Sequence, residues 1–200
     1  MTESSQRSGP RSGFTRRAFL KGSSAVAAAT ALTTEQAEAQ AAQAKIAKGE
    51  QSIRLTVNGK PRAVKVEPRT TLLEVLRQQL DLTGAKPVST DGSSGASTVL
   101  LNGKPVMAST TLAITCRGKS VTTVEGVDNT VPKAFVAADA QQCGFCTPGF
   151  VVAVKAFLDK NPNASEAQIR SGLNGNICRC GTYANVIDAA VSVVKGGGNG

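Results

Sequence analysis

Four of the five cysteines fall into two close pairs, Cys143-x2-Cys146 in QCGFC and Cys178-x-Cys180 in NICRC. Thiolates so arranged can do three things. They can hold a [2Fe–2S] cluster, which needs four of them, or a structural zinc ion, whose sites more often join two C-x2-C runs. They can also oxidise to disulfides, although a C-x-C bridge is strained. Spacing alone leaves all three open. Gly144 and Gly181 beside the cysteines let backbone approach a bound group closely. Cys116, in LAITCRGK, has no partner at useful spacing and reads as a buried strand thiol. The chain contains no histidine, which excludes histidine-ligated haem, His-containing zinc sites, histidine general bases and any Ser-His triad.

A second stretch keeps the spacing of a metal site without its ligands. Ser89, Ser94 and Ser97 in STDGSSGAS stand at the x4, x2 spacing of three cysteines in a plant-type [2Fe–2S] site. A serine hydroxyl is harder and far less acidic than a thiol, so it should hold iron and sulfide poorly. Gly92 and Gly95 are present, so the loop can still follow the path of a ligand loop, held by serine side-chain hydrogen bonds to backbone.

The elements that must carry these residues come in two styles. IRLTVNGKPRAVKV alternates Ile53, Leu55 and Val57 with polar neighbours, turns at Asn58-Gly59 and resumes with Val64 and Val66, a hairpin. TTLLEVLRQQL spaces Leu72, Val75, Leu76 and Leu80 as a helix over about 72–80, with Thr71 and Glu74 as a capping box. STVLLNGKPV predicts a second hairpin around Asn102-Gly103, and β-branched SVTTVEG a strand over 120–126. The shared NGKP reflects turn chemistry rather than duplication. From about residue 130 the period changes to three and four. VPKAFVAADA, TPGFVVAVKAFLDK, SEAQIRSGL and TYANVIDAAVSVVK predict four helices, with Thr147-Pro148 as N-cap and N1 and Ser165 with Gln168 as a second capping box. Each cysteine pair then stands at the start of a helix. The fold class is α+β, a small mixed unit followed by a small helical bundle.

The 200 residues carry a net charge of +9, but Lys and Arg are scattered and the aromatics are one Tyr and six Phe, so nucleic-acid binding is not indicated. Part of the charge belongs to the amino terminus. TRRAFLK sets Arg16-Arg17 ahead of a weakly apolar stretch and the small-x-small AEA at 37–39, the order of a twin-arginine export signal. Residues 1–39 hold five Lys/Arg and three Asp/Glu, leaving +7 after cleavage. No other stretch has the roughly 18 apolar residues that span a bilayer. A periplasmic protein without a membrane span is expected, with residues 40–51 as linker and 196–200 as a flexible Gly-rich tail.

TTLLEVLRQQLDLTGAK, GASTVLLNGKPV, VTTVEG, QCGFCTPGF and NPNASEAQIRSGLNGNICRCGTYANV, in this order, resemble the small iron–sulfur subunit of the molybdenum hydroxylases, the xanthine and aldehyde dehydrogenase family. With its leader the chain resembles periplasmic aldehyde oxidoreductase iron–sulfur subunits. The resemblance spans about 52–193 and implies a ferredoxin-like β-grasp domain over 52–127 and a four-helix-bundle [2Fe–2S] domain over 128–195. It assigns the helical cluster to Cys143, Cys146, Cys178 and Cys180, with Gln142 and Cys180 approaching the molybdopterin of a large subunit that performs substrate oxidation. It also places the family's second cluster on Ser89, Ser94, Ser97 and Ser109, all serine here, so the β-grasp domain is expected to be metal-free. Electrons would then leave the single cluster for a flavin subunit or a cytochrome. A non-redox scaffold or zinc-stabilised adaptor on the same fold, and a free-standing periplasmic ferredoxin, are the competing readings.

Overall fold

The computed structural model describes residues 47–196. The expected export signal, most of the linker and most of the tail lie outside these residues. β1 (Gln51–Val57) and β2 (Lys60–Val66) pair antiparallel with Val57 opposite Lys60. The turn residues Asn58 and Gly59 have φ of 50° and 75°, the left-handed pair whose twist suits a two-residue hairpin. Alternation sends Ile53, Leu55, Val57, Val64 and Val66 into the core.

Helix α1 starts at Leu72–Glu74 and continues as a π-helical turn over Val75–Gln79. Its capping box forms as the sequence implied, with the Thr71 amide donating to the Glu74 carboxylate at 2.7 Å and the Glu74 amide to Thr71 Oγ1 at 3.2 Å. The widened turn, closed by Leu80 N–H on Val75 O at 3.1 Å, differs from the regular helix expected. Leu72, Leu73, Val75 and Leu76 are all buried, a broader apolar face than a one-sided stripe provides.

β3 (Thr98–Leu101) and β4 (Lys104–Met107) form the second hairpin about Asn102-Gly103. β5 (Ser120–Thr122) closes a mixed sheet of order β2-β1-β5-β3-β4, parallel to β1 and antiparallel to β3. This strand is shorter than the one expected over 120–126. At Thr123 the amide donates to Asn58 Oδ1 and the hydroxyl accepts from Asn58 Nδ2, both at 2.9 Å, which draws the chain out of the ladder into a 3-10 turn, Val124–Gly126. Cys116 is fully buried as expected, but it ends the 3-10 turn Ala113–Cys116 rather than standing on a strand.

The second half contains α2 (Thr130–Ala137), α3 (Thr147–Lys160), α4 (Glu166–Gly172) and α5 (Tyr183–Gly196). Phe135, Phe150, Val154, Ile169, Val186 and Ala190 meet in their shared core. Ser165 and Gln168 cap α4 reciprocally, as predicted. Thr147 does not cap α3. Cys146 already has helical φ and ψ, and its carbonyl accepts from Phe150 N–H at 3.1 Å, so Thr147 becomes the first helical residue. Val152 and Ala156 of α3 pack on Leu100 of β3 and join the helices to the sheet. Among the described residues no helix is long and apolar enough to cross a membrane.

Candidate metal centre

The connection from α2 to α3 ends in Cys143-Gly144-Phe145-Cys146, and the connection from α4 to α5 in Cys178-Arg179-Cys180-Gly181. Gly144 and Gly181 take φ of 81° and 82°, reversing the chain beside each pair. The two loops meet at one cavity, lined by Cys143 and Cys146 from the first and by Ile177 and Arg179 from the second, and Cys143 with Cys180, and Cys146 with Cys178, shift one another's ionisation. All five cysteines are free thiols. Cys178 is buried, Cys146 half-buried, and Cys143 and Cys180 exposed, so the arrangement runs from the helical core to the surface.

The inner pair is electrostatically asymmetric. Burial, then the thiolate of Cys178 beside it, pushes the Cys146 thiol up to about 12. Burial opposes ionisation of Cys178 too, but hydrogen bonds led by the Thr182 hydroxyl and amide outweigh it and lower this thiol to about 7. In the outer pair, the Phe145 amide and then the Cys180 thiol favour the Cys143 thiolate; the Cys143 backbone amide works to lower Cys180, but the Cys143 side chain and burial together raise it. One thiol of each pair thus favours its thiolate.

This donor set fits a [2Fe–2S] cluster. Two adjoining loops bring two thiols each, four in all, the number a dinuclear centre takes at two thiolates per iron. Beside Cys146, the buried Thr147 hydroxyl has no protein hydrogen-bond partner.

Three neighbours escaped the sequence reading. Thr182 Oγ1 lies 3.1 Å from Cys178 Sγ, and the Cys178 amide donates to the Tyr183 hydroxyl at 2.8 Å. The Tyr183 ring meets Phe150 edge to face, centroids 6.2 Å apart. The third is Asn176, buried two residues before the CRC turn, with its Nδ2 donating to Gly95 O at 3.0 Å. Their position directly around CRCG was the only signal the sequence offered. Gln142, the suggested pterin contact, is exposed beside Cys143, and Cys180 shares that exposure.

The serines also meet two by two. Ser89 and Ser94 hydroxyls lie 2.8 Å apart, and those of Ser97 and Ser109 2.9 Å apart. Ser89 Oγ and Ser97 Oγ also accept from the Ser94 and Ser109 amides, at 3.1 and 3.3 Å. The bonds to backbone that the loop composition suggested are therefore present. A cavity of about 340 Å³ opens between Val88, Ser94 and Ala96 of this loop and Cys143, Cys146 and Ile177 of the cysteine loops. Another of about 320 Å³, near Asp128, Lys155 and Asp159, touches no cysteine.

Residues 123–191 match the [2Fe-2S] binding domain family. The chain is 38% identical over 197 residues to the aldehyde oxidoreductase iron-sulfur-binding subunit PaoA of Escherichia coli O157:H7, covering 88% of this chain and 86% of that protein. It is 38% identical over 140 residues to the nicotinate dehydrogenase small FeS subunit of Eubacterium barkeri, covering 68% and 89%. The crystal structure of quinoline 2-oxidoreductase from Pseudomonas putida 86 contains a chain that superposes with a TM-score of 0.72 at 37% identity, covering 76% of this chain and 98% of that one.

Proposed function

The chain belongs to the small iron–sulfur subunits of the molybdenum hydroxylases, and we propose that within this family it is an exported relay built on a single [2Fe–2S] cluster. The family's cofactor is [2Fe–2S], its role is electron transfer within an oxidoreductase complex, and its partners are molybdenum-containing large subunits. Cys143, Cys146, Cys178 and Cys180 hold the cluster. The observation that carries this is the convergence of two loops, each bearing a cysteine pair, at one cavity, set against a neighbouring loop whose serines offer only hydroxyls.

The cluster, when bound, supplies reversible one-electron transfer. The chain supplies the rest. Cys146 and Cys178 anchor the inner side against the helical core, where Thr182 donates toward sulfur. Gln142 and Cys180 form the outer side, facing the molybdopterin of the large subunit. Ser89, Ser94, Ser97 and Ser109 are too weakly acidic and too hard to hold iron and sulfide, so the sheet half is metal-free. Electrons leave from the helical half, to a cytochrome or to a flavin subunit docked differently from one served by two clusters. The Arg16-Arg17 leader directs the chain to the periplasm by the twin-arginine route.

Metal and sulfide analysis of the purified native complex tests this reading. About two irons and two sulfides per copy of this chain are expected, with zinc absent. Zinc in place of iron would make the chain a structural adaptor, and about four irons would give the serine loop a cluster after all.

A further inference from the structure

The serine loop touches both halves of the cysteine ligand set through three consecutive residues. On one side, Ser94 O accepts from the Ile177 amide at 3.0 Å, and Gly95 O accepts from the buried Asn176 amide side chain at 3.0 Å. Ile177 is bonded directly to Cys178. On the other side, Gly149 in the first turn of α3, three residues after Cys146, sits so close that a Cβ there would collide with Gly95 O and stand 3.0 Å from Ala96 Cα. Gly95 itself has φ of 70°, and a Cβ on it would press on Asn176 Nδ2 at 2.6 Å. The two cysteine-bearing segments, far apart in sequence, therefore lean on the same short piece of backbone. That backbone is fixed from within by the Ser89–Ser94 hydroxyl pair and by the Ser94 amide on Ser89 Oγ.

We propose that the serine loop is a splint for the cysteine centre: Ser89 and Ser94 lock the Ser94–Ala96 backbone, which holds the Cys178–Cys180 turn and the start of α3 in register. Hydroxyl pairing replaces metal ligation as the force that fixes the loop, and the loop keeps a mechanical task on the opposite side of the cavity. The inference rests on the proposed cluster at the four cysteines. Ser89 and Ser94 are positioning residues, acting on the ligands through Asn176 and Ile177 on one side and through Gly149 on the other. Ser97 and Ser109 bond each other at the β3–β4 end of the loop and serve as the comparison.

The test uses the native complex carrying Ser89→Ala, Asn176→Ala, Ser109→Ala or Ser89→Thr. Two properties are read: the EPR line shape of the reduced cluster and the rate at which a chelator bleaches the oxidised one. Ser89→Ala and Asn176→Ala are expected to broaden the signal and speed bleaching about ten-fold, the scale at which outer-shell partners act on metal sites. Ser109→Ala should leave both unchanged, and Ser89→Thr, which keeps the hydroxyl, should restore both. A wild-type complex with no iron–sulfur signal would refute the proposed function. A wild-type signal left unaltered in shape and lifetime by Ser89→Ala and Asn176→Ala would overturn the splint alone.

Discussion

Thr182 shows how one residue can tune the site. Its hydroxyl is buried 3.1 Å from the sulfur of Cys178, the thiol most ready to ionise. A hydrogen bond to a ligand sulfur favours the more negative, reduced state of the cluster. Thr182→Val should therefore lower the reduction potential, and Thr182→Ser should keep it near the wild-type value; an EPR-monitored redox titration reads both. Equal potentials in all three proteins would show that the hydroxyl does not act on the cluster. Cys116 lies in the other core, fully buried, where desolvation raises its thiol. Cys116→Ser should cost about 1–3 kcal/mol in urea unfolding, because a more polar hydroxyl takes the place of a weakly polar thiol, while iron content stays unchanged. The two cysteine pairs stood out in the sequence because thiolate chemistry depends on residue type and spacing. The contacts of Thr182, Tyr183 and Asn176 did not, because their partners are set by how loops meet in space.

At the scale of elements, the short-range rules carried furthest. Both Asn-Gly turns, both capping boxes and all four helices of the second half form where local sequence places them. The departures each come from contacts that local pattern does not encode. β5 ends early because Asn58, on a turn 65 residues away, captures both the amide and the hydroxyl of Thr123. Thr147 is displaced from the cap of α3 because the cysteine-loop backbone already turns helically at Cys146. Asn58→Gly should lose about 2 kcal/mol of stability from the two hydrogen bonds, at about 1 kcal/mol each. Asn58→Ala should lose about 1 kcal/mol more for a left-handed alanine. Urea unfolding distinguishes the two, and identical curves for the wild type and both variants would show that the tie is not structural. The serine loop allows a complementary gain. With Ser89, Ser94, Ser97 and Ser109 all changed to Cys, the two hydroxyl pairs become thiol pairs on the same backbone. A second iron–sulfur signal is expected in that variant, and its absence from a folded protein would mean the loop has lost the geometry as well as the ligands.

For the whole molecule, the sheet and helices share a junction at Leu100, Val152 and Ala156, and the serine and cysteine sites face each other across one cavity. Neither apolar core includes Ser89, Ser94, Ser97 or Ser109, whereas Cys178 belongs to the helical core and Cys146 packs against it. Export is read at the same scale: Arg16-Arg17 changed to Lys-Lys should leave an uncleaved precursor in the cytoplasm, and normal periplasmic delivery of that variant would refute the twin-arginine route. Low-temperature EPR with spin quantification, on the native complex reduced by dithionite, tests the central claim most directly. One rhombic signal integrating to about one spin per copy of this chain is expected. Two distinct iron–sulfur signals, or none from a complex that is otherwise intact, would contradict it.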